Sequence, residues 1–79
     1  MQNFYTYITY DSEILNGKPI IAGTRISVEF IMELIASGAT IDEISGEYPQ
    51  LPIEGIREAV LYAANSIKNE FIITAKITA

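Results

Sequence analysis

Residues 40–53 read Thr40-Ile41-Asp42-Glu43-Ile44-Ser45-Gly46-Glu47-Tyr48-Pro49-Gln50-Leu51-Pro52-Ile53, and this stretch decides the fold. Thr40 followed by Glu43 is a capping box: the hydroxyl accepts an orphan backbone N–H and the glutamate reaches back to the cap. Ile41, Ile44 and Tyr48 then recur at helical spacing and give one apolar face. Gly46 weakens this helix, and Pro49 pushes Tyr48 toward an extended conformation, so the helix is short, over 41–47. Pro52 fits the first turn of a further helix, where a missing N–H costs nothing. A short helix, a tight connection and a new helix are therefore written into fourteen consecutive residues.

Working outward, the segment before it is also helical. Ser27 is a good cap for a helix over 27–37, and Glu29 sits at the positive end of its dipole. Val28, Ile31 and Ile35 recur at helical spacing, with Phe30 and Leu34 widening the stripe, and Gly38 is a left-handed terminator. The segment after it is the longest helix, over 52–68. Ile53, Ile56, Val60, Ala63 and Ile67 are spaced three, four, three, four and form a seam. Ala59 and Ala64 beside that seam permit close approach of a second backbone. Gly55 costs about 1 kcal/mol of helix propensity, a penalty that close packing can offset.

The ends read as extended. Phe4, Tyr5, Tyr7, Ile8 and Tyr10 belong to an aromatic and β-branched run that suits a pleated surface. Asn16-Gly17 is the sharpest turn signal of the arm over 4–26, and Pro19, Ile20 and Ile21 resume an extended path. The arm reads either as an irregular hairpin or as a strap tied to the body. Residues 70–79 carry Phe71, Ile72, Ile73, Thr74 and Ile77, which favour an extended tail. That tail pairs with residues 4–10 of its own chain or of a second copy, or it is a strand offered to a different protein.

The chain has 79 residues, which is one domain, 1–79, mainly α with short β segments at both ends. So short a chain buries roughly two-thirds or less of its unfolded surface, so a homodimer is expected to add burial. Cysteine and histidine are both absent. Thiol and imidazole nucleophiles and the common zinc sites are therefore excluded. Glu29 with Glu33, and Glu43 with Glu47, are paired acids that read as solvated faces rather than metal ligands. Gly17-Lys18 and Gly23-Thr24 are in the wrong order for a phosphate loop. No catalytic residue, cofactor, metal or small-molecule ligand is expected, nor is a membrane span or a signal peptide. The expected location is cytoplasmic. The net charge is −5, and residues 29–64 hold seven acids against Arg57 alone, which disfavours a phosphate backbone as partner. Arg25 stands alone where the arm meets the first helix. Either its donors tie down turn carbonyls, or it contacts a phosphate or a partner's carboxylate.

The order of these parts carries a resemblance. Gly17-Lys18-Pro19, Gly23-Thr24-Arg25 and Tyr48-Pro49, with Thr40 to Ile44 and Ala59, Tyr62, Ala63 and Ala64, resemble the signature of the bacterial and archaeal family called domain of unknown function 433. The likeness spans roughly residues 8–65. Pro52 and Gly55 depart from the family's commoner residues. The resemblance implies a homeodomain-like helix-turn-helix core. It also implies the role of an antitoxin that binds and neutralises a PIN-like nuclease toxin. The apolar run with Phe71, Ile72, Ile73 and Ile77, beyond the span of the likeness, is then the expected partner-binding tail. The alternative the resemblance implies is a DNA-binding regulator, in which Arg57 on the third helix would contact DNA.

Overall fold

The computed structural model describes residues 5–78, and their side chains as far as Lys68. Its elements are β1 (Ile8–Thr9), a single 3-10 turn (Leu15–Gly17), β2 (Ile20–Ile21), α1 (Val28–Ala36), α2 (Ile41–Glu47) and α3 (Ile53–Thr78). The arm is an irregular hairpin. β1 and β2 pair antiparallel, with Ile8 opposite Ile21 and Thr9 opposite Ile20. The reversal between them uses three successive left-handed residues, with φ of 52° at Leu15, 57° at Asn16 and 81° at Gly17. Asn and Gly tolerate that region; Leu15 does so at a cost, because its Cβ crowds the following carbonyl.

A second tight reversal follows at once. The Ile21 N–H donates to the Ile26 carbonyl at 2.9 Å, and the Val28 N–H donates to the Pro19 carbonyl at 2.9 Å. Residues 22–25 form the loop between them. Thr24 closes it: its hydroxyl donates to the Ile21 carbonyl at 2.8 Å and accepts the Ile26 N–H at 3.0 Å. Gly23 takes φ 80° there. The Gly-Thr pair of the sequence signature is thus a loop-closing device.

The local helix signals hold. Ser27 Oγ accepts the Phe30 N–H at 2.9 Å. The end of α1 is a Schellman motif around Gly38 at φ 110°. In it the Ala39 N–H reaches the Leu34 carbonyl at 3.1 Å and the Gly38 N–H reaches that of Ile35 at 3.0 Å. Thr40 and Glu43 make both halves of the capping box, at 3.0 and 2.8 Å. Ile8, Ile21, Ile31, Ile44, Leu51, Ile56 and Ala59 meet in one core, supplied by the hairpin, all three helices and the α2–α3 connection.

Two expectations are corrected. The residues read as an extended tail over 70–79 continue α3 as far as Thr78. Once a helix is nucleated and packed, each further residue adds a hydrogen bond without a new nucleation cost. No glycine or proline interrupts residues 56–78, and β-propensity acts only where a neighbouring strand receives it. The seam also ends sooner than its spacing suggests. Ile56 and Ala59 are buried, whereas Ile67 is 63% exposed, because α3 has outrun the body.

Candidate functional site

α3 presents three lengthwise faces, and they sort the chemistry. The first, with Ile56, Ala59 and Ala63, packs on the core. The second, with Gly55, Glu58, Tyr62 and Asn65, receives the N-terminal arm. Glu58 Oε1 accepts the Ile8 N–H at 3.1 Å and also the Tyr7 N–H. The Tyr10 and Tyr62 hydroxyls are hydrogen-bonded to each other. Asn65 Nδ2 donates to the Tyr5 hydroxyl at 3.0 Å. The Tyr5 and Tyr62 rings lie 5.2 Å apart, tilted by 58°. Gly55 is buried under this arm. A Cβ built there would lie 3.5 Å from Tyr7 Cβ and 3.2 Å from Pro52 Cγ. The tight contact is with the Pro52 ring, and Tyr7 would lie at ordinary van der Waals distance, so the glycine chiefly spares the packing of Pro52 on the first turn. The hydrogen bond shared with Tyr10, in which Tyr62 keeps its proton, and then burial push the Tyr62 hydroxyl from its ordinary 10 up to about 12.

The arm's use of Glu58 also explains the shortness of β1. The run from Phe4 to Tyr10 has strand composition, yet the Tyr7 and Ile8 N–H groups go to a helix carboxylate. Glu58 was legible only as an acid beside Arg57. The spacing of Gly55, Glu58, Tyr62 and Asn65 at three, four and three residues is the signal that could have marked this face.

The third face, with Glu54, Arg57, Leu61, Ala64 and Lys68, is exposed at every position. Leu61 is 52% exposed. Among the described residues the only ion pair is Lys18–Glu29, at 2.8 Å. Glu54, Arg57 and Lys68 are thus unengaged within the described chain.

The signature residues are divided between two places. Lys18 and Pro19 stand at the base of the 22–25 loop, and Arg25 stands in the loop itself. The Lys18 ammonium is held above its ordinary pKa by the hydrogen bond and charge of Glu29. Arg25 is exposed and makes no hydrogen bond or ion pair among the described residues. Among the described residues the turn carbonyl of Ile21 is bound by the Thr24 hydroxyl and by no group of Arg25. Arg25 lies beside Thr9, Tyr10, Asp11 and Ile14 on an open cleft of about 560 Å³. Tyr48 is half-buried and meets Phe30 edge-on, 5.8 Å between centroids at 88°, which ties the α2–α3 connection to α1. Pro49 is exposed. Phe71, Ile72, Ile73 and Ile77 fall within α3, and their side chains lie outside the described ones. Glu29, Glu33, Glu43 and Glu47 are all exposed.

A family model described as a protein of unknown function (DUF433) matches residues 8–63. This chain belongs to that family. An uncharacterized protein, y4eO, of Sinorhizobium fredii is 34% identical over 62 residues, which is 77% of this chain. The chain spans 28% of that relative's length. The crystal structure of a DUF433 member protein from Anabaena variabilis aligns with a TM-score of 0.71 at 26% identity. That alignment covers 92% of this chain and 69% of the other. The DUF433 match ends at Ala63, where α3 leaves the core, so the signature coincides with the packed body. Among the described residues no helix is long and apolar enough to cross a membrane.

Proposed function

We propose that this DUF433 chain is a cytoplasmic, non-enzymatic interaction module, the antitoxin of a toxin–antitoxin pair that binds and neutralises a PIN-like nuclease. The observation that carries this reading is the reach of α3. The helix runs to Thr78, while the described side chains at 64–68 are all exposed. Its sequence then continues through Phe71, Ile72, Ile73 and Ile77. A helix with apolar residues beyond its own core is the form that docks in a partner's groove. The mode is thus helix insertion in place of strand donation. The acidic stretch 29–64 suits a basic partner by charge complementarity.

The test begins with the neighbouring gene: if it encodes a PIN-like nuclease, that nuclease is offered to the full chain, to one ending at Asn69 and to the double variant I72E/I73E, and if it encodes none the reading falls. The full chain retains the nuclease and suppresses its cleavage; both altered chains lose it. Equal capture by all three removes the tail from the role.

A second reading, a helix-turn-helix DNA-binding regulator, is favoured by the order α2, tight connection, α3, with Arg57 exposed on α3 and in no ion pair among the described residues. Fluorescence anisotropy with the protein's own upstream DNA, at several salt concentrations, tests it. Binding that weakens with salt and is lost in Arg57→Ala supports this reading, and no binding at low salt removes it.

A further inference from the structure

We infer that the open face of α3 is a self-complementary seam, on which a second copy of this chain docks antiparallel with the twofold axis at Leu61. Glu54, Arg57, Leu61, Ala64 and Lys68 are spaced three, four, three and four. That is the spacing of a seam along which two helices keep contact. The other two faces of the helix are already occupied, one by the core and one by the arm. This face alone is exposed along its described length and carries a large apolar residue at its middle, Leu61.

The order of side chains selects both partner and direction. Read forward, the face is acid, base, leucine, small, base. Glu54 and Lys68 each stand seven residues from Leu61, about 10 Å along the axis on either side. An antiparallel copy centred on Leu61 therefore sets Glu54 against Lys68 at both ends of the seam. Leu61 meets Leu61, and Arg57 lies over Ala64, whose methyl leaves room for the arginine stem. A parallel copy sets Glu54, Arg57 and Lys68 each against its own kind, which is repulsive three times over. Sliding the axis to between Tyr62 and Ala63 sets Arg57 against Lys68. The Leu61 register pairs every charge with an opposite or a neutral group, sets Leu61 on Leu61 and brings Glu54 to Lys68 at both ends, and it does so isologously, as a twofold contact requires. None of the three charges is held by an ion pair among the described residues. The seam over 54–68 is about 21 Å long, so the contact belongs to the small class of interface, below roughly 1,200 Å². It is a reversible dimer. It also covers Arg57, so dimer and α3-bound DNA exclude each other.

Sedimentation equilibrium of the full chain between 5 and 500 µM, with circular dichroism to confirm folding, tests the seam. The parent moves from 8.7 kDa toward twice that mass across the range. E54K and K68E each weaken the dimer at least tenfold, by opposing like charges at both ends. The double variant E54K/K68E restores it to within threefold of the parent, and L61E abolishes it. A monomer throughout the range overturns the inference and leaves the face to another partner. So does a dimer indifferent to the single variants, or a double variant that fails to restore it.

Discussion

Replacing Glu58 by alanine tests the clasp between the arm and α3 most directly. One carboxylate oxygen receives two backbone donors, from Tyr7 and Ile8, across fifty residues of sequence. Each hydrogen bond to a charged group contributes about 1.5–3 kcal/mol net. Tyr7 is half-buried, so water recovers part of its share. The expected loss is then ~2–4 kcal/mol. For 79 residues the whole stability is about 4–12 kcal/mol, so the variant is severely weakened. With a urea slope of roughly 1 kcal/mol per molar, the unfolding midpoint falls by about 2 M or more. Glu58→Gln keeps a carbonyl that can accept both donors and loses only charge assistance, about 1 kcal/mol. Urea titrations followed at 222 nm give both values. An alanine variant within about 0.5 kcal/mol of the parent, the range of ordinary surface changes, refutes the clasp.

Ile56 is fully buried, so Ile56→Ala removes about 2–5 kcal/mol in the same titration. Thr40→Ala takes away one half of the α2 capping box and lowers stability by about 1 kcal/mol, which a thermal melt reads as a drop of roughly 4–8 °C. The Tyr62 hydroxyl is raised from 10 to about 12, so the folded chain holds its proton where the unfolded chain releases it. That contribution is complete below pH 10 and is lost between 10 and 12; absorbance at 295 nm shows one tyrosine titrating late, absent in Tyr62→Phe.

The parts of this fold that were legible in the sequence are those whose physics is local. Ser27, Gly38 and the Thr40–Glu43 pair act on their own or neighbouring backbone groups, so spacing alone announces them. The three helices followed from them. Contacts between distant residues were not legible. Glu58 looked like surface charge because its donors lie at the other end of the chain. Gly55 looked like a defect until its burial between the Pro52 ring and Tyr7 was seen. Arg25 looked like the loop's anchor, while the smaller Thr24 supplies both a donor and an acceptor at the right reach. The tail failed for a different reason. Residues such as Ile72 and Thr74 lean toward strands, but an unbroken helix adjoining them sets the conformation.

The clasp also imposes an order of events during synthesis. The arm leaves the ribosome before α3, and Glu58, Tyr62 and Asn65, its partners, are made more than fifty residues after Tyr5. At about 5–20 residues per second, the nascent arm waits for seconds with its tyrosines uncovered. The hairpin cannot be sealed against the body until α3 exists. Folding of this domain is therefore completed from α3 backward, and a stalled or truncated product lacking residues 58–65 leaves the arm undocked.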